Sequence, residues 1–182
     1  MADRPLDIAS FLRWATGNLA ENRIRGIFAE WLVGQKLQAL DGQKFRQEWN
    51  PWDLQYRKSR IEVKASGKSQ AWDPQRPSKP SFGIAVPKQI WCEETKKWQQ
   101  NDQRTRPAHV YVFCLHKPVP ATNDNVADPT TWDFWVIPAQ VLDDELGEQK
   151  TVRPTRLDGL AKRIGWSKIK PAVDRLIDSR RR

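Results

Sequence analysis

Three charged residues near the middle of the chain have the types and spacing of a site that acts on phosphate esters. Asp53 lies shortly before Glu62, and Lys64 follows Glu62 by two positions among β-branched residues. Two carboxylates can hold Mg²⁺, which prefers hard oxygen ligands and keeps several of its waters. Such an ion polarises a phosphoryl group and lowers the pKa of bound water, while a nearby lysine stabilises developing charge. The residues therefore indicate metal-dependent hydrolysis of a phosphodiester.

Alternation of apolar and polar residues predicts that two strands carry these groups. In residues 52–57 apolar and polar side chains alternate, and Asp53 falls on the polar face. Residues 60–66 alternate in the same way, so that Glu62 and Lys64 share the polar face. The alternative for Glu62 and Lys64 is an ordinary solvated ion pair on an exposed strand face.

The register between the two strands decides whether the three side chains meet. A two-residue turn at Lys58 and Ser59 would place Asp53 opposite Lys64 and diagonal to Glu62. Asp53 and Glu62 would then be roughly 7 Å apart between Cα atoms. We therefore expect two carboxylates and an ammonium group to converge on one face.

An amphipathic helix is predicted before the strands, beginning at Asn18 or Glu21 and ending near Leu40. The residues expected on its inward face recur at three- and four-residue spacing: Ile27, Glu30, Val33, Gly34 and Leu37. Glu30 would therefore lie beside the core, either as an additional acid of the site or in an ion pair with a basic residue from another element.

The rest of the chain predicts further strands and helices. Strands are expected at residues 44–49, 82–86, 109–115 and 132–137, and shorter helices at 7–14, 156–164 and 167–177. Loops are expected at 72–81 and 118–131, and residues 89–103 are expected to form a helix or a surface loop. This order of elements indicates an α/β or α+β fold with a mixed sheet.

Asp53 together with Glu62-Val63-Lys64 resembles the PD-(D/E)XK nuclease superfamily, which has the restriction-endonuclease-like fold. The helix carrying Glu30 is similar to the first core helix of that family, and Gln70 is similar to a glutamine that some members carry after the lysine strand. The resemblance covers roughly residues 21–115. It departs from the family pattern in one respect, since Trp52 rather than proline precedes Asp53.

The resemblance implies an α/β fold with a mixed sheet flanked by helices, a divalent metal and cleavage of DNA. Asp53 and Glu62 would bind Mg²⁺ or Mn²⁺, with the backbone carbonyl of Val63 as a further ligand. Lys64 would stabilise charge or position the water. Two further residues, Glu30 and Gln70, would serve as an auxiliary acid and as a contact near the scissile phosphate. A homodimer is consistent with cleavage of both strands, which usually takes two active sites.

Charge and composition favour a nucleic-acid partner. The 182 residues carry a formal net charge of +9, which attracts polyanions. Lys68, just after the lysine strand, is a candidate contact to nucleic acid. The alternatives are a nucleic-acid-binding module of the same fold without catalysis, and a protein-interaction protein whose charge only keeps it in solution.

Length and residue usage suit one domain, with a nuclease-like core at residues 1–150 and a basic helical extension at 151–182 packed on it. Two cysteines without metal-ligand spacing are typical of a reducing cytoplasm. No apolar segment indicates a secretory signal or a membrane helix, so no membrane partner is expected.

A second interpretation of the same segment is a phosphate-binding loop, because Gly67-Lys68-Ser69 looks like the end of such a loop and follows a predicted strand. That motif also needs a glycine where Glu62 stands, and a helix where Pro74 interrupts the chain. We therefore favour the nuclease interpretation over a nucleotide-hydrolysing one.

Overall fold

The computed structural model of the protein describes residues 6–40, 46 and 50–180. Its strands are β1 (Leu54–Tyr56), β2 (Ser59–Gly67), β3 (Phe82–Gly83), β4 (Gln89–Cys92), β5 (Lys97–Gln100), β6 (Val110–His116), β7 (Trp132–Pro138) and β8 (Thr151–Val152). Its α-helices are α1 (Ile8–Thr16), α2 (Asn22–Leu37), α3 (Asn123–Ala127), α4 (Ala139–Leu146), α5 (Pro154–Asp158) and α6 (Ile169–Arg180). Apart from Arg46, the strand predicted at residues 44–49 lies outside the described residues.

Four strands form a mixed central sheet in the order β1-β2-β6-β7. β2 is antiparallel to β1 and parallel to β6, and β7 is antiparallel to β6. Every residue of β6 is buried, as expected for a strand covered on both faces. The predicted mixed sheet of an α/β protein is thus confirmed.

Helices cover both faces of this sheet. One buried cluster joins Val110 and Val112 of β6 to residues of α2 and α6. The other joins Tyr111 and Phe113 of β6 to residues of α4. Alternate side chains of one strand therefore enter two separate cores, and the sheet is the layer between them. Within the described ranges no helix is long and apolar enough to cross a membrane.

The ends of α2 follow from its capping residues. The carboxylate of Glu21 accepts hydrogen bonds from two backbone N–H groups of the first turn, and Gln38 closes the helix with a φ of 57°. The buried apolar side chains of the helix are Ile24, Ala29, Leu32, Val33 and Leu37. The prediction that Ile27 faces the core is wrong, because Ile27 lies outside this buried set and is 36% exposed.

Residues 89–103 contain a hairpin rather than a helix or a surface loop, which corrects the prediction for this segment. β4 and β5 pair antiparallel, with Trp91 directly opposite Trp98. β5 is exposed along its whole length, so it lacks the apolar alternation by which a half-buried strand is recognised.

The C-terminal helices differ from their predicted bounds. The helix predicted at residues 156–164 ends early, at Asp158, and Ile164 instead forms an isolated bridge with Phe134 of β7. The helix predicted at 167–177 corresponds to α6, which buries its apolar residues in the same core as α2. This second helix attaches the end of the chain to the central sheet.

Three further elements, α4, β8 and α3, were not anticipated from the sequence. α4 follows β7 directly and packs Leu142 and Leu146 into the second core. β8 pairs with β3, so the predicted boundary between residues 150 and 151 falls immediately before a strand that pairs with residue 82. The loop predicted at 118–131 contains the short helix α3.

Replacing Leu142 with alanine tests the packing of α4. Leu142 is fully buried, so Leu142→Ala is expected to lower the free energy of unfolding by roughly 2–5 kcal/mol. Gln140→Ala in the same helix is the control, because Gln140 is exposed and donates a hydrogen bond to Asp144 at 2.8 Å on the surface. Urea denaturation of both variants would measure the difference, and equal stabilities would contradict the packing described for α4.

Candidate active site

The hairpin of β1 and β2 has a different register from the predicted one. Gln55 pairs with Arg60 rather than with Glu62. The turn consists of Arg57 and Lys58, whose φ values of 49° and 65° match the positive φ that a two-residue type I′ turn requires. The shift is two residues, an even number, so every side chain keeps its predicted face.

Asp53 therefore lies beside Glu62 instead of opposite Lys64. Its backbone N–H donates to the carbonyl of Ile61 at 3.1 Å. Its carboxylate Oδ2 accepts a hydrogen bond from the backbone N–H of Val63 at 2.7 Å. These two bonds hold Asp53 against the residues that flank Glu62 on β2.

Glu62 and Lys64 form an ion pair on the same face of β2. Lys64 Nζ lies 2.5 Å from Glu62 Oε1, and the two side chains are 32% and 15% exposed. The predicted convergence of two carboxylates and an ammonium group is present, although Asp53 reaches it through a different register. An ion pair between these residues was also the alternative interpretation, and here its two side chains are partly buried.

The three side chains line one cavity of about 310 Å³. Tyr111 of β6, directly beside Glu62 in the sheet, lies in its wall. Trp91 and Trp98 of the β4–β5 hairpin complete another side. Tyr111 was not predicted as part of the site, because the sequence of its strand is almost entirely apolar and gives no sign of a polar face.

The electrostatics of the cavity are dominated by its acids. Burial, together with the negative charges of Glu62 and Glu30, raises the pKa of Asp53 to about 7. The Val63 N–H and the Lys64 ammonium act in the opposite direction. Burial and the charge of Glu62 also raise the pKa of the Tyr111 hydroxyl, which keeps its proton. The site thus concentrates negative charge, which a bound cation would stabilise.

Glu30 lies near this cluster but is paired elsewhere. It accepts two hydrogen bonds from Arg46, at 2.5 Å from Nε and at 2.9 Å from the terminal nitrogen. Its side chain is 16% exposed and does not line the cavity of Asp53. An ion pair with a residue from another part of the chain was the alternative role for Glu30, and the structure contains that pair.

Gln70 and Lys68 lie apart from the three convergent residues. Gln70 donates to Ser78 Oγ at 2.9 Å and accepts from Asn22 at 2.7 Å. It lines a second, polar cavity together with Arg25. Lys68 is exposed beyond the end of β2. The structure therefore does not bring either residue to Asp53 and Glu62.

Gly67-Lys68-Ser69 does not form a phosphate-binding loop. No helix follows it in residues 70–81, all of which the structure describes. A Cβ at Gly67 would lie 2.7 Å from the guanidinium of Arg25. A side chain at this position would therefore require the guanidinium of the buried Arg25 to shift.

Two carboxylates, those of Asp53 and Glu62, are the donors that the cavity offers a metal ion. Among the described residues, no group of three or more His, Cys, Asp or Glu side chains is arranged to hold one. Mg²⁺ in proteins is commonly bound through one or two carboxylates, with water and substrate phosphate supplying the other ligands. The donor set and its accumulated negative charge fit such an ion.

Comparison with known proteins assigns no family to the chain. No protein-family model matches the sequence, and no curated protein gives a significant match.

The raised pKa of Asp53 predicts a pH-dependent stability. The folded state holds this proton more tightly than the unfolded chain, so the stabilisation is complete below pH 4 and is lost as pH rises through about 7. With EDTA at pH 8, the free energy of unfolding of Asp53→Asn should therefore exceed that of the wild type by about 2–4 kcal/mol. At pH 4 the two proteins should be nearly equal.

Chemical denaturation at both pH values would measure this difference. Asp102→Asn, which changes an exposed carboxylate in a turn, is the control and should show no such dependence. Addition of Mg²⁺ at pH 8 should stabilise the wild type and not Asp53→Asn. If the free energies of unfolding of the wild type and Asp53→Asn differ by the same amount at both pH values, the pKa of Asp53 is not raised in the folded state.

Proposed function

We propose that the protein is a metal-dependent nuclease that hydrolyses phosphodiester bonds, with DNA as the favoured substrate. The observation that carries the proposal is that Asp53, Glu62 and Lys64 line one cavity. The formal net charge of +9 adds a long-range attraction for the polyanionic backbone. Paired carboxylates with an adjacent lysine are suited to a phosphodiester, whose hydrolysis builds negative charge on non-bridging and leaving oxygens.

In this proposal Asp53 and Glu62 hold Mg²⁺ or Mn²⁺, with the carbonyl oxygen of Val63 as a further ligand. When bound, such an ion supplies polarisation of the phosphoryl group and activation of a water. The hydrogen bond from Val63 N–H occupies Asp53 Oδ2, and Lys64 occupies Glu62 Oε1. Among the described residues, the other carboxylate oxygens, Asp53 Oδ1 and Glu62 Oε2, accept no hydrogen bond and remain for coordination.

Lys64 and Tyr111 act on the phosphate itself. The ammonium of Lys64 stabilises the negative charge that develops on the phosphoryl oxygens, or positions the attacking water. The hydroxyl of Tyr111 stays protonated because its pKa is raised, so it can donate a hydrogen bond to a phosphate oxygen. Both side chains lie in the wall of the cavity that holds the two carboxylates.

Glu30, Gln70 and Lys68 have supporting roles in the proposal. Glu30 contributes negative charge near Asp53, and its auxiliary role requires release from Arg46. Gln70 lies in the second cavity beside Arg25, so its contact would be with a phosphate other than the one at Asp53. Lys68 would contact the nucleic-acid backbone from its exposed position.

The restriction-endonuclease-like fold is part of the proposal. A helix with an acid, α2, precedes a hairpin whose second strand carries acid-x-lysine, and that strand continues into a mixed sheet through parallel pairing with β6. This order and placement support the PD-(D/E)XK resemblance. A homodimer belongs to the proposal where both strands of a duplex are cut, and sedimentation with and without DNA would test it.

The second candidate is a nucleic-acid-binding module without catalysis. It is favoured by the ion pair between Glu62 and Lys64, which neutralises one acid of the site. Both candidates predict binding that weakens steeply with salt, whereas a protein-interaction protein would show little salt dependence towards DNA. Metal-dependent cleavage separates the nuclease from the binding module.

Replacing Lys64 with alanine is the central test of the nuclease proposal. Cleavage of supercoiled, linear and single-stranded DNA would be measured with Mg²⁺ or Mn²⁺ and with EDTA. Lys64→Ala is expected to reduce the rate by about a hundredfold or more, since it removes charge stabilisation from the reacting phosphate. Glu62→Gln should have an effect at least as large.

Lys117→Ala is a closely matched control. Lys117 pairs with Asp133 at 3.1 Å, with side chains 39% and 17% exposed, values close to those of the Lys64–Glu62 pair. Its rate should equal that of the wild type. Cleavage that survives in Lys64→Ala would place the activity elsewhere, and binding without any cleavage would favour the second candidate.

A further inference from the structure

The second cavity, about 220 Å³ in volume, lies beside the cavity of the candidate active site. Lys64 lines the active-site cavity, and Ser66, the next residue on the same face of β2, lines the second. Their Cα atoms are about 7 Å apart along the strand. One further segment borders both cavities, since Ser81 lines the second and Ile84 the first. The two cavities are therefore neighbours along one face of the sheet.

The second cavity is basic, whereas the active-site cavity is acidic. Its polar lining side chains are a guanidinium, an ammonium, two amides and two hydroxyls, from Arg25, Lys79, Asn22, Gln70, Ser66 and Ser81. No carboxylate is among the described residues that line it. Arg25 is only 3% exposed, and Lys79 is exposed. Within the described parts of the chain neither of these cations forms an ion pair.

The guanidinium of Arg25 keeps donors for a ligand. Its terminal nitrogens donate to the carbonyl of Ser69 at 3.0 Å, to Asn22 Oδ1 at 2.6 Å and to the carbonyl of Ala20 at 3.5 Å. A guanidinium has five N–H groups. Two of them therefore have no acceptor among the described residues, and a ligand in the cavity can accept from them.

The charge of Arg25 is only partly balanced by the protein. Burial lowers the pKa of Arg25, and the negative charge of Glu21 acts in the opposite direction. The carboxylate of Glu21, however, accepts its hydrogen bonds from backbone N–H groups in the first turn of α2. A buried cation without a hydrogen-bonded carboxylate is unfavourable, so an anion bound in the cavity would stabilise it.

Hydrogen bonds hold the walls of this cavity in place. Asn22 of α2 donates to Gln70 at 2.7 Å, and Gln70 donates to Ser78 Oγ at 2.9 Å. The backbone N–H of Ser78 donates to the carbonyl of Lys68 at 2.7 Å. The segment that carries Lys79 is thus fixed to the end of β2 before a ligand arrives, which lowers the entropic cost of binding.

The chemistry and position of the cavity suit a phosphate of nucleic acid. Guanidinium and ammonium groups are the usual partners of phosphate oxygens. Neighbouring phosphates of a strand are one nucleotide apart, a spacing comparable to that of Lys64 and Ser66 along β2. A strand that follows this face with one phosphate at Lys64 would therefore place its next phosphate in the second cavity.

We propose that the second cavity binds the backbone phosphate adjacent to the one at Lys64, with Arg25 and Lys79 as its two cations, so that the protein holds two successive phosphates of one strand. This inference rests on the proposed function for the phosphate at Lys64. It goes further in assigning a ligand to a cavity that takes no part in the chemistry, and it places the contact of Gln70 there.

The salt dependence of binding without metal tests this inference separately from cleavage. Fluorescence anisotropy in EDTA would measure the affinity for a labelled oligonucleotide, single-stranded and duplex, over a range of salt concentrations. Lys79→Ala removes one phosphate contact. The slope of log K against log salt should become shallower by about 0.7 for the single strand and about 0.9 for the duplex. At 0.1 M salt, binding should weaken roughly five- to eightfold.

Lys150→Ala is the matched control, because Lys150 is also exposed but lies outside this cavity. It changes the net charge equally and should keep the slope of the wild type. An unchanged slope in Lys79→Ala, or an equal change in Lys150→Ala, would overturn the inference.

A second variant tests the cavity by filling it with a negative charge. Ser81 is exposed in the wall of the cavity, so Ser81→Asp should repel the phosphate and weaken binding at least as much as Lys79→Ala. Ser10→Asp makes the same change of charge at an exposed position of α1 and should have less than about twofold effect. Equal losses in the two aspartate variants would contradict a phosphate site at this cavity.

The same measurements separate the inference from the proposed function. A Lys79-dependent slope without metal-dependent cleavage would sustain the inference while the nuclease proposal fails. Cleavage that depends on Lys64, with an unchanged slope in Lys79→Ala, would overturn the inference alone. A wild-type protein that binds neither oligonucleotide would overturn both.

Discussion

The hydrogen bond from Val63 N–H to Asp53 Oδ2, 2.7 Å long, is the interaction on which the candidate site depends. It joins the carboxylate of the residue before β1 to a backbone N–H of β2. Asp53 is thereby fixed beside Glu62 although burial and like charge both oppose its ionisation. Glu62 lies on β2, and Asp53, just before β1, is held to the same strand by backbone hydrogen bonds.

The two faces of β2 explain why the charges lie where they do. Ile61 and Val63 enter the core beneath α2, and the alternation of the strand sends Glu62 and Lys64 to the other face. On that face Phe113, beside Lys64 in the sheet, is fully buried. Buried charges are unfavourable unless they are paired or reached by solvent, and here they are paired and open onto a cavity.

The sequence was sufficient to predict the faces of these strands but not their register. Alternation depends only on the period of two, so Asp53, Glu62 and Lys64 fall on the expected side even after a two-residue shift. The register depends on the turn, and Arg57 and Lys58 adopt positive φ values that neither residue type signals. The proximity of Asp53 and Glu62 was predicted as a diagonal placement, but their directly opposite placement was not accessible from the sequence.

The aromatic side of the active-site cavity, formed by Trp91 and Trp98, could not be predicted from the sequence for a different reason. Its position depends on parts of the fold that are distant along the chain. The β4–β5 hairpin has no apolar alternation, and its position depends on Arg106, whose fully buried side chain pairs with Asp143 of α4. α4 in turn is held by Leu142 and Leu146 in the second core. Arg106 thus connects the packing beneath α4 to the segment that follows the hairpin, through its ion pair with Asp143 and its hydrogen bonds to the carbonyls of Ile84 and Gly147. A site whose ionic side is fixed by the sheet and whose aromatic side is fixed through α4 keeps both sides aligned only while the second core is intact.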